Sequence, residues 1–271
     1  MRIGLLGTGN MGGAILKSIV ESNQFNKKDL FAFDVNSEKL NKFCSDLKIQ
    51  ACTSAIDLVK NSDVIILACK PQQMPVVCSE ISAVISSNHL VISIAAGIPL
   101  KFFEEKLNKA RIIRVMPNMP LLVRAGMTVF SLGKNTNSED KKLIEEIFSL
   151  TGTVLEVSEE KIGIASIAFS CMPGWTAYFM DAFIQACKKQ GLSEEQAQIM
   201  IAQAFLGSGK YVLETKTKPA DLVKQVASPG GITQQGLEVF DSVQLQKILE
   251  QAVERGMKRT QELAQGVEQT K

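Results

Sequence analysis

The chain has 271 residues, and its 30 basic and 28 acidic side chains are interspersed to a formal charge of +2. That length suits one large domain or two modest ones, and so even a charge offers no basic face for nucleic acid or an anionic membrane. Six cysteines (Cys44, Cys52, Cys69, Cys78, Cys171 and Cys187) lack metal or redox spacing, which points to reduced thiols in a cytosolic protein and to no metal site.

The first residues, M-R-I-G-L-L-G, run from apolar side chains straight into glycines and read as a strand, not as a leader peptide. Further strands are expected at 30–34, 63–68, 90–94, 111–116, 126–131 and 153–157, after the first at 2–6. Helical patterns fall between them at 11–22, 37–46, 71–86, 99–107 and 138–149. This alternation predicts an α/β fold, a Rossmann-type doubly wound and mostly parallel sheet, over residues 1–157. From 158 to 271 only helices are expected, near 159–188, 193–214 and 234–265, with breaks at Gly191-Leu192-Ser193 and at S-P-G-G (228–231). Residues 162–187 carry one charge, Asp181, over a length that could span a membrane. Pro173, Gly174, Asp181 and several hydroxyls within it favour instead a buried helix of a soluble oligomer.

The segment I-G-L-L-G-T-G-N-M-G-G-A places Gly7, Gly9 and Gly12 in G-x-G-x-x-G between a strand and a helix. Gly7 permits a tight turn, Gly9 leaves room for a pyrophosphate, and Gly12 brings the helix onto the sheet. The helix start, with Asn10 and Met11, then turns its amides to the anion. Asp34 ends the second strand, where an acid accepts from a ribose 2′-OH and favours NAD(H). Asn36, Ser37 and Lys39 follow at once and could instead hold a 2′-phosphate, so the choice stays open, with NADP(H) the expected cofactor and NAD(H) the alternative.

Two other segments end strands on the side where this fold binds ligands. In A-C-K-P-Q (68–72), Lys70 and Pro71 either face the cofactor or start a helix, since Pro suits its first position. In A-A-G, the small residues Ala95, Ala96 and Gly97 leave room for a nicotinamide ring. R-V-M-P-N-M-P (114–120) stiffens a loop around Asn118, which is expected to line the substrate site.

What the chain lacks narrows the chemistry. Its single histidine, His89, precedes a strand, and the first long helix after Lys161 has no lysine until Lys188. A base for oxidising an alcohol is therefore missing. Reduction of a C=N bond needs only a hydride and a proton at nitrogen, which a hydroxyl could supply.

Taken together, G-T-G-N-M-G-G-A-I (7–15), K-P (70–71), S-I-A-A-G (93–97), R-V-M-P-N-M-P (114–120), Q-G-L-S-E-E-Q-A (190–197), Y-V-L-E-T (211–215), K-P-A-D-L (218–222) and S-P-G-G-I-T (228–233) resemble the pyrroline-5-carboxylate reductase family almost end to end. The resemblance implies a Rossmann domain and a helical domain that interlocks with a second subunit, in a homodimer or larger oligomer. It also implies NAD(P)H, and a substrate site built from helical segments at that interface. Ser228, Gly230 and Gly231 would then bind the substrate carboxylate at a helix start, where paired glycines can form an amide nest. Thr233 takes the family's position for a hydroxyl beside the imine nitrogen, making it the proton-donor candidate. The chain departs from the family at F-S-C-M-P-G-W (169–175), where S-G-S-G-P-A-Y is usual. Cys171, Met172 and Trp175 either fill space near the substrate or simply repack the core. The alternatives are a reductase of another cyclic imine or keto acid, and a non-catalytic dinucleotide-binding regulator.

Overall fold

The computed structural model describes residues 1–268, with side chains to residue 262. The chain forms two compact units. One holds Met1–Ser170 and the chain from Arg259; the other holds Cys171–Lys258. The change from α/β to helix comes earlier, between the last strand and a 3₁₀ turn at Glu159–Lys161. Residues 162–170 join the first unit because Ile162, Ile167 and Phe169 are buried.

The strands are β1 (Ile3–Leu6), β2 (Leu30–Phe33), β3 (Gln50–Ala51), β4 (Val64–Leu67), β5 (Leu90–Ser93), β6 (Arg111–Pro117), β7 (Gly126–Leu132) and β8 (Gly152–Glu156). They form one sheet in the order β3-β2-β1-β4-β5-β6-β7-β8. Every pair is parallel except β6 with β7. The chain reverses direction across the sheet between β1 and β4, which is where a doubly wound fold binds ligands.

Helices α1 (Asn10–Ser22), α2 (Ser37–Leu47), α3 (Ala55–Lys60), α4 (Met74–Ile81), α5 (Leu100–Lys106) and α6 (Ser138–Ser149) cover the two faces of the sheet. Continuous β-branched runs such as V-I-I-L in β4 suit strands covered on both sides, and that strand is buried throughout. One core lies around Ile65, Leu67, Val91 and Phe103, the other around Ile3, Leu5, Ile66 and Phe130. Each such side chain fully withdrawn from water contributes about 1.5–3 kcal/mol. Helix starts are fixed locally: Asn36 accepts from Lys39 N, Ser54 from Asp57 N, and Asn137 from Glu139 N and Asp140 N.

Beyond the sheet follow α7 (Ile162–Ser166), a π turn (Ile167–Cys171), α8 (Met172–Lys189), α9 (Glu194–Thr215), α10 (Pro219–Val226), α11 (Ile232–Ser242) and α12 (Leu245–Glu268). Several details differ from expectation. The polar stretch before Ser228 contains α10, opened by Pro219 at its first turn. The last helical stretch is interrupted at Gln244, which takes φ 53°. The helix expected at 71–86 is a 3₁₀ turn (Pro71–Gln73) followed by the short α4.

Within the second unit, Phe183 packs edge-on against Phe205 and Phe240, with ring centroids 6.4 Å apart in both pairs. Most of its large apolar side chains nevertheless face outward, among them Tyr178, Ile199, Leu213, Ile232 and Val239. The helical stretch Glu159–Lys189 is long and apolar enough to cross a membrane by length and composition, and 17% of its most apolar window is buried within the chain.

Candidate active site

The turn after β1 is built by its glycines. Gly7 has φ +103°, and a Cβ there would lie 2.9 Å from the Ala68 backbone. At Gly12 a Cβ would meet Ala68 Cβ and Gly7 O at 2.6 Å, so α1 approaches the sheet only because that atom is missing. Gly9 is different: a Cβ there meets nothing within 4 Å. Gly9 is also the N-cap of α1 and supplies no side-chain cap, and the first turn holds no acidic residue. The first backbone bond of the helix is Gly13 N to Gly9 O, so the amides of Asn10, Met11 and Gly12 stay open to an anion. Met11 packs inward on the core while Asn10 is exposed. This cradle fits the pyrophosphate of a dinucleotide.

Asp34 lies beside the cradle, and its carboxylate is committed to it. Oδ2 accepts from Thr8 N at 2.7 Å and Thr8 Oγ1 at 2.9 Å, and Oδ1 accepts from Asn36 N at 3.0 Å. Partial burial raises its pKa, but the hydrogen bonds from Asn36 and Thr8 outweigh it and hold the carboxyl below its usual range. Asp34 therefore ties the Gly7–Gly9 turn to β2, a role that hides in sequence because Thr8 is merely one of the motif's variable positions.

At the end of β4, Cys69 Sγ donates to Leu6 O at 3.3 Å. Burial pushes its pKa up to about 11, so it stays a thiol and no nucleophile. Lys70 is exposed, its amide bonded to Gln73 Oε1 at 3.1 Å, and Pro71 opens the 3₁₀ turn. After β5, Ala95 is buried, Ala96 is exposed, and Gly97 takes φ +78° with nothing near its Cβ position.

Asn118, expected to line the substrate site, has its side chain tied to two backbone groups. It is buried, its Nδ2 donates to Phe169 O at 3.0 Å, and its Oδ1 accepts from Met127 N at 2.8 Å. The cause lies four residues beyond Phe169, where Pro173 has no N–H to give that carbonyl. The helix relaxes into a π turn over Ile167–Cys171, and Asn118 supplies the missing donor. In the departing segment, Met172 is exposed and Trp175 half-buried.

The Ser228–Thr233 turn also differs in detail from the sequence expectation. Gly230 takes φ +71°, but Gly231 is extended at φ −78°. Both glycine amides are engaged locally, Gly230 N with Gln234 Oε1 at 2.8 Å and Gly231 N with Ser228 O at 2.9 Å. Gly231 is needed for space, because a Cβ would lie 2.5 Å from Ser228 Oγ. Gly231 is the N-cap of α11 and gives no side-chain cap, so the open amides are those of Ile232, Thr233 and Gln234. Thr233 is exposed in that first turn.

A strand–turn–helix anion cradle at the reversal point of a parallel sheet, followed by an all-helical unit, defines a dinucleotide-dependent oxidoreductase. Residues 2–97 match the family described as NADP oxidoreductase coenzyme F420-dependent, and residues 159–263 match that described as pyrroline-5-carboxylate reductase dimerisation. The chain is 33% identical to the pyrroline-5-carboxylate reductase of Methanosarcina acetivorans, covering 97% of both chains. It is 33% identical to that of Escherichia coli, covering 97% of this chain and 98% of the other. A pyrroline-5-carboxylate reductase structure from Coxiella burnetii superposes with a TM-score of 0.92 at 31% identity, and that of Plasmodium falciparum with NADP bound with 0.86 at 29%; each match covers 97% of this chain and 98% of the other. The chain belongs to the pyrroline-5-carboxylate reductase family.

Proposed function

We propose that this protein reduces the C=N bond of 1-pyrroline-5-carboxylate to L-proline with NAD(P)H, as a cytosolic homodimer or larger homo-oligomer joined through its helical region. The observation that carries the reading is the start of α11: three open amides and a hydroxyl in one uncapped first turn. A carboxylate suits the amides of Ile232, Thr233 and Gln234, reinforced by the positive end of the helix. Ser228, Gly230 and Gly231 shape the turn that exposes them. NAD(P)H supplies a hydride to the imine carbon. The Thr233 hydroxyl supplies or orients the proton at nitrogen, and an imine that arrives protonated needs no stronger acid. The only histidine, His89, is committed to Ser86, whose amide donates to Nδ1 at 2.9 Å.

On the cofactor side, Gly7, Gly9 and Gly12 with the amides of Asn10 and Met11 hold the pyrophosphate. Ala95, Ala96 and Gly97 border the nicotinamide, with Lys70 and Pro71 at the neighbouring strand end. NADP(H) is preferred to NAD(H). Asp34 is held by Thr8 and Asn36, and exposed Asn36, Ser37 and Lys39 flank the start of α2, where a 2′-phosphate is favoured. The outward apolar surface of the helical unit supports a partner subunit. Met172, where the family usually carries Gly, and Trp175 in place of its Tyr favour a second reading as a reductase of a related cyclic imine.

The test is oxidation of NADPH and NADH by the purified protein with 1-pyrroline-5-carboxylate and with 1-pyrroline. Turnover with the acid, and a Thr233→Ala kcat lower by roughly 10- to 100-fold, are expected. Oxidation with neither imine would refute the assignment, and preference for the carboxylate-free imine would favour the second reading.

A further inference from the structure

The turn proposed to border the nicotinamide, Ala95–Gly97, is loosely tethered by its own contacts. Ile94 N donates to Leu67 O at 3.1 Å and Ala95 N to Ser93 Oγ at 3.3 Å, and the buried side chain of Ile98 anchors the far side. Pro99, the N-cap of α5, has no side-chain donor or acceptor to fix the start of that helix. The next polar tether comes from 59 residues away. Leu100 N donates to Glu159 Oε1 at 3.0 Å, and that same oxygen accepts from Arg114 Nη1 at 2.7 Å. The pair is sheltered: Arg114's side chain is 11% exposed and Glu159's 32%. A lost partner there is poorly replaced by water.

We propose that Glu159, held in place by Arg114, is a positioning residue for the nicotinamide. By gripping the first amide of α5 it sets where the Ala95–Gly97 turn lies, and hence how the ring rests against it. The inference rests on the reading that this turn lines the ring. Arg114 and Glu159 touch neither the pyrophosphate cradle nor β2, so the adenosine end of the cofactor is untouched by the device. A misplacement of about 1 Å at a reacting group can cost up to about 100-fold in rate, so kcat is the sensitive quantity.

Glu159→Ala should lower kcat by about 10-fold or more and alter the fluorescence of bound NADPH, while affinity for 2′,5′-ADP, which lacks the nicotinamide, stays within about threefold. Glu159→Gln keeps an acceptor oxygen for Leu100 N and should recover most of the kcat. If Glu159→Ala does not fold, Glu159→Asp withdraws the oxygen by one methylene and carries the same expectation. A folded Glu159→Ala or Glu159→Asp enzyme with wild-type kcat and wild-type NADPH fluorescence would overturn the proposal, as would a Glu159→Gln enzyme as impaired as Glu159→Ala. Ala96→Phe, on the exposed turn itself, separates the two levels. If it leaves kcat and NADPH fluorescence unchanged, the turn does not border the ring, and the underlying reading fails, not the tether.

Discussion

Replacing Asn118 with Ala would leave two backbone groups without partners, the carbonyl of Phe169 and the amide of Met127. Each buried group left unsatisfied costs about 1–3 kcal/mol, so the pair predicts a loss of about 2–6 kcal/mol. At about 2–4 °C per kcal/mol for a unit of this size, Tm should fall by about 4–24 °C, measured by calorimetry at fixed protein concentration. The structure also specifies a rescue. Phe169 O needs Asn118 only because Pro173 carries no amide hydrogen, so Pro173→Ala should restore a local donor. In the Asn118→Ala background, Pro173→Ala should recover about 1–3 kcal/mol, and in the wild-type background it should gain less or lose stability. Equal effects in both backgrounds, or an Asn118→Ala protein with unchanged Tm, would refute the account. Well below Tm, the KM of Asn118→Ala for the imine should stay within about threefold, since a strut is not a ligand.

Gly9→Val should weaken NADPH binding by about 100-fold or more in calorimetric titration, because the new side chain enters the pyrophosphate's space. Its Tm without cofactor should hardly move, since nothing lies within 4 Å of the added Cβ. Gly231→Val should raise KM for the imino acid steeply by displacing Ser228 and reorienting the α11 amides, with little effect on 1-pyrroline; equal losses on both substrates would deny the turn a carboxylate. His89 gives a pH dependence. Burial holds its pKa below the usual 6.5, so the folded state binds fewer protons than the unfolded one as pH drops below that value, and the stability it contributes above 6.5 is lost as pH falls through the folded pKa. His89→Asn should flatten the fall of Tm as pH drops below about 6.5, a fall that begins above that of the lowered carboxylates Asp34, Asp57 and Asp63.

The sheet was legible because its inner strands are short continuous apolar runs, and the cradle because glycine is informative wherever a Cβ would collide. Shorter elements were not. β3 is two exposed residues, too few to show a period, and α3 has only six. The break at Gln244 involves neither Gly nor Pro, so nothing local announced its left-handed backbone. At the site, what the sequence does not show shares a cause: the partner is remote or indirect. Asp34 is legible as a strand-end acid, but not its hold on Thr8, 26 positions away, through both amide and hydroxyl. Asn118 is legible as a fixed loop amide, but not its hold on the carbonyl orphaned by Pro173. Gly231 looks like a left-handed residue, but Ser228 makes it a matter of volume.

The outward apolar faces of the helical unit bear on biosynthesis. Met1–Ser170 supplies the whole sheet and both of its cores, so these can form while the ribosome, adding about 5–20 residues per second, is still making the rest. The helical unit, finished last, emerges with Tyr178, Ile199, Leu213 and Val239 facing water. Covering them by a partner is a second-order event whose half-time lengthens as expression falls, whereas competing self-association of unfinished chains grows with it. Yield of active protein should therefore pass through a maximum with expression level, and co-expressing extra helical unit should poison assembly more effectively than an equal amount of the sheet unit.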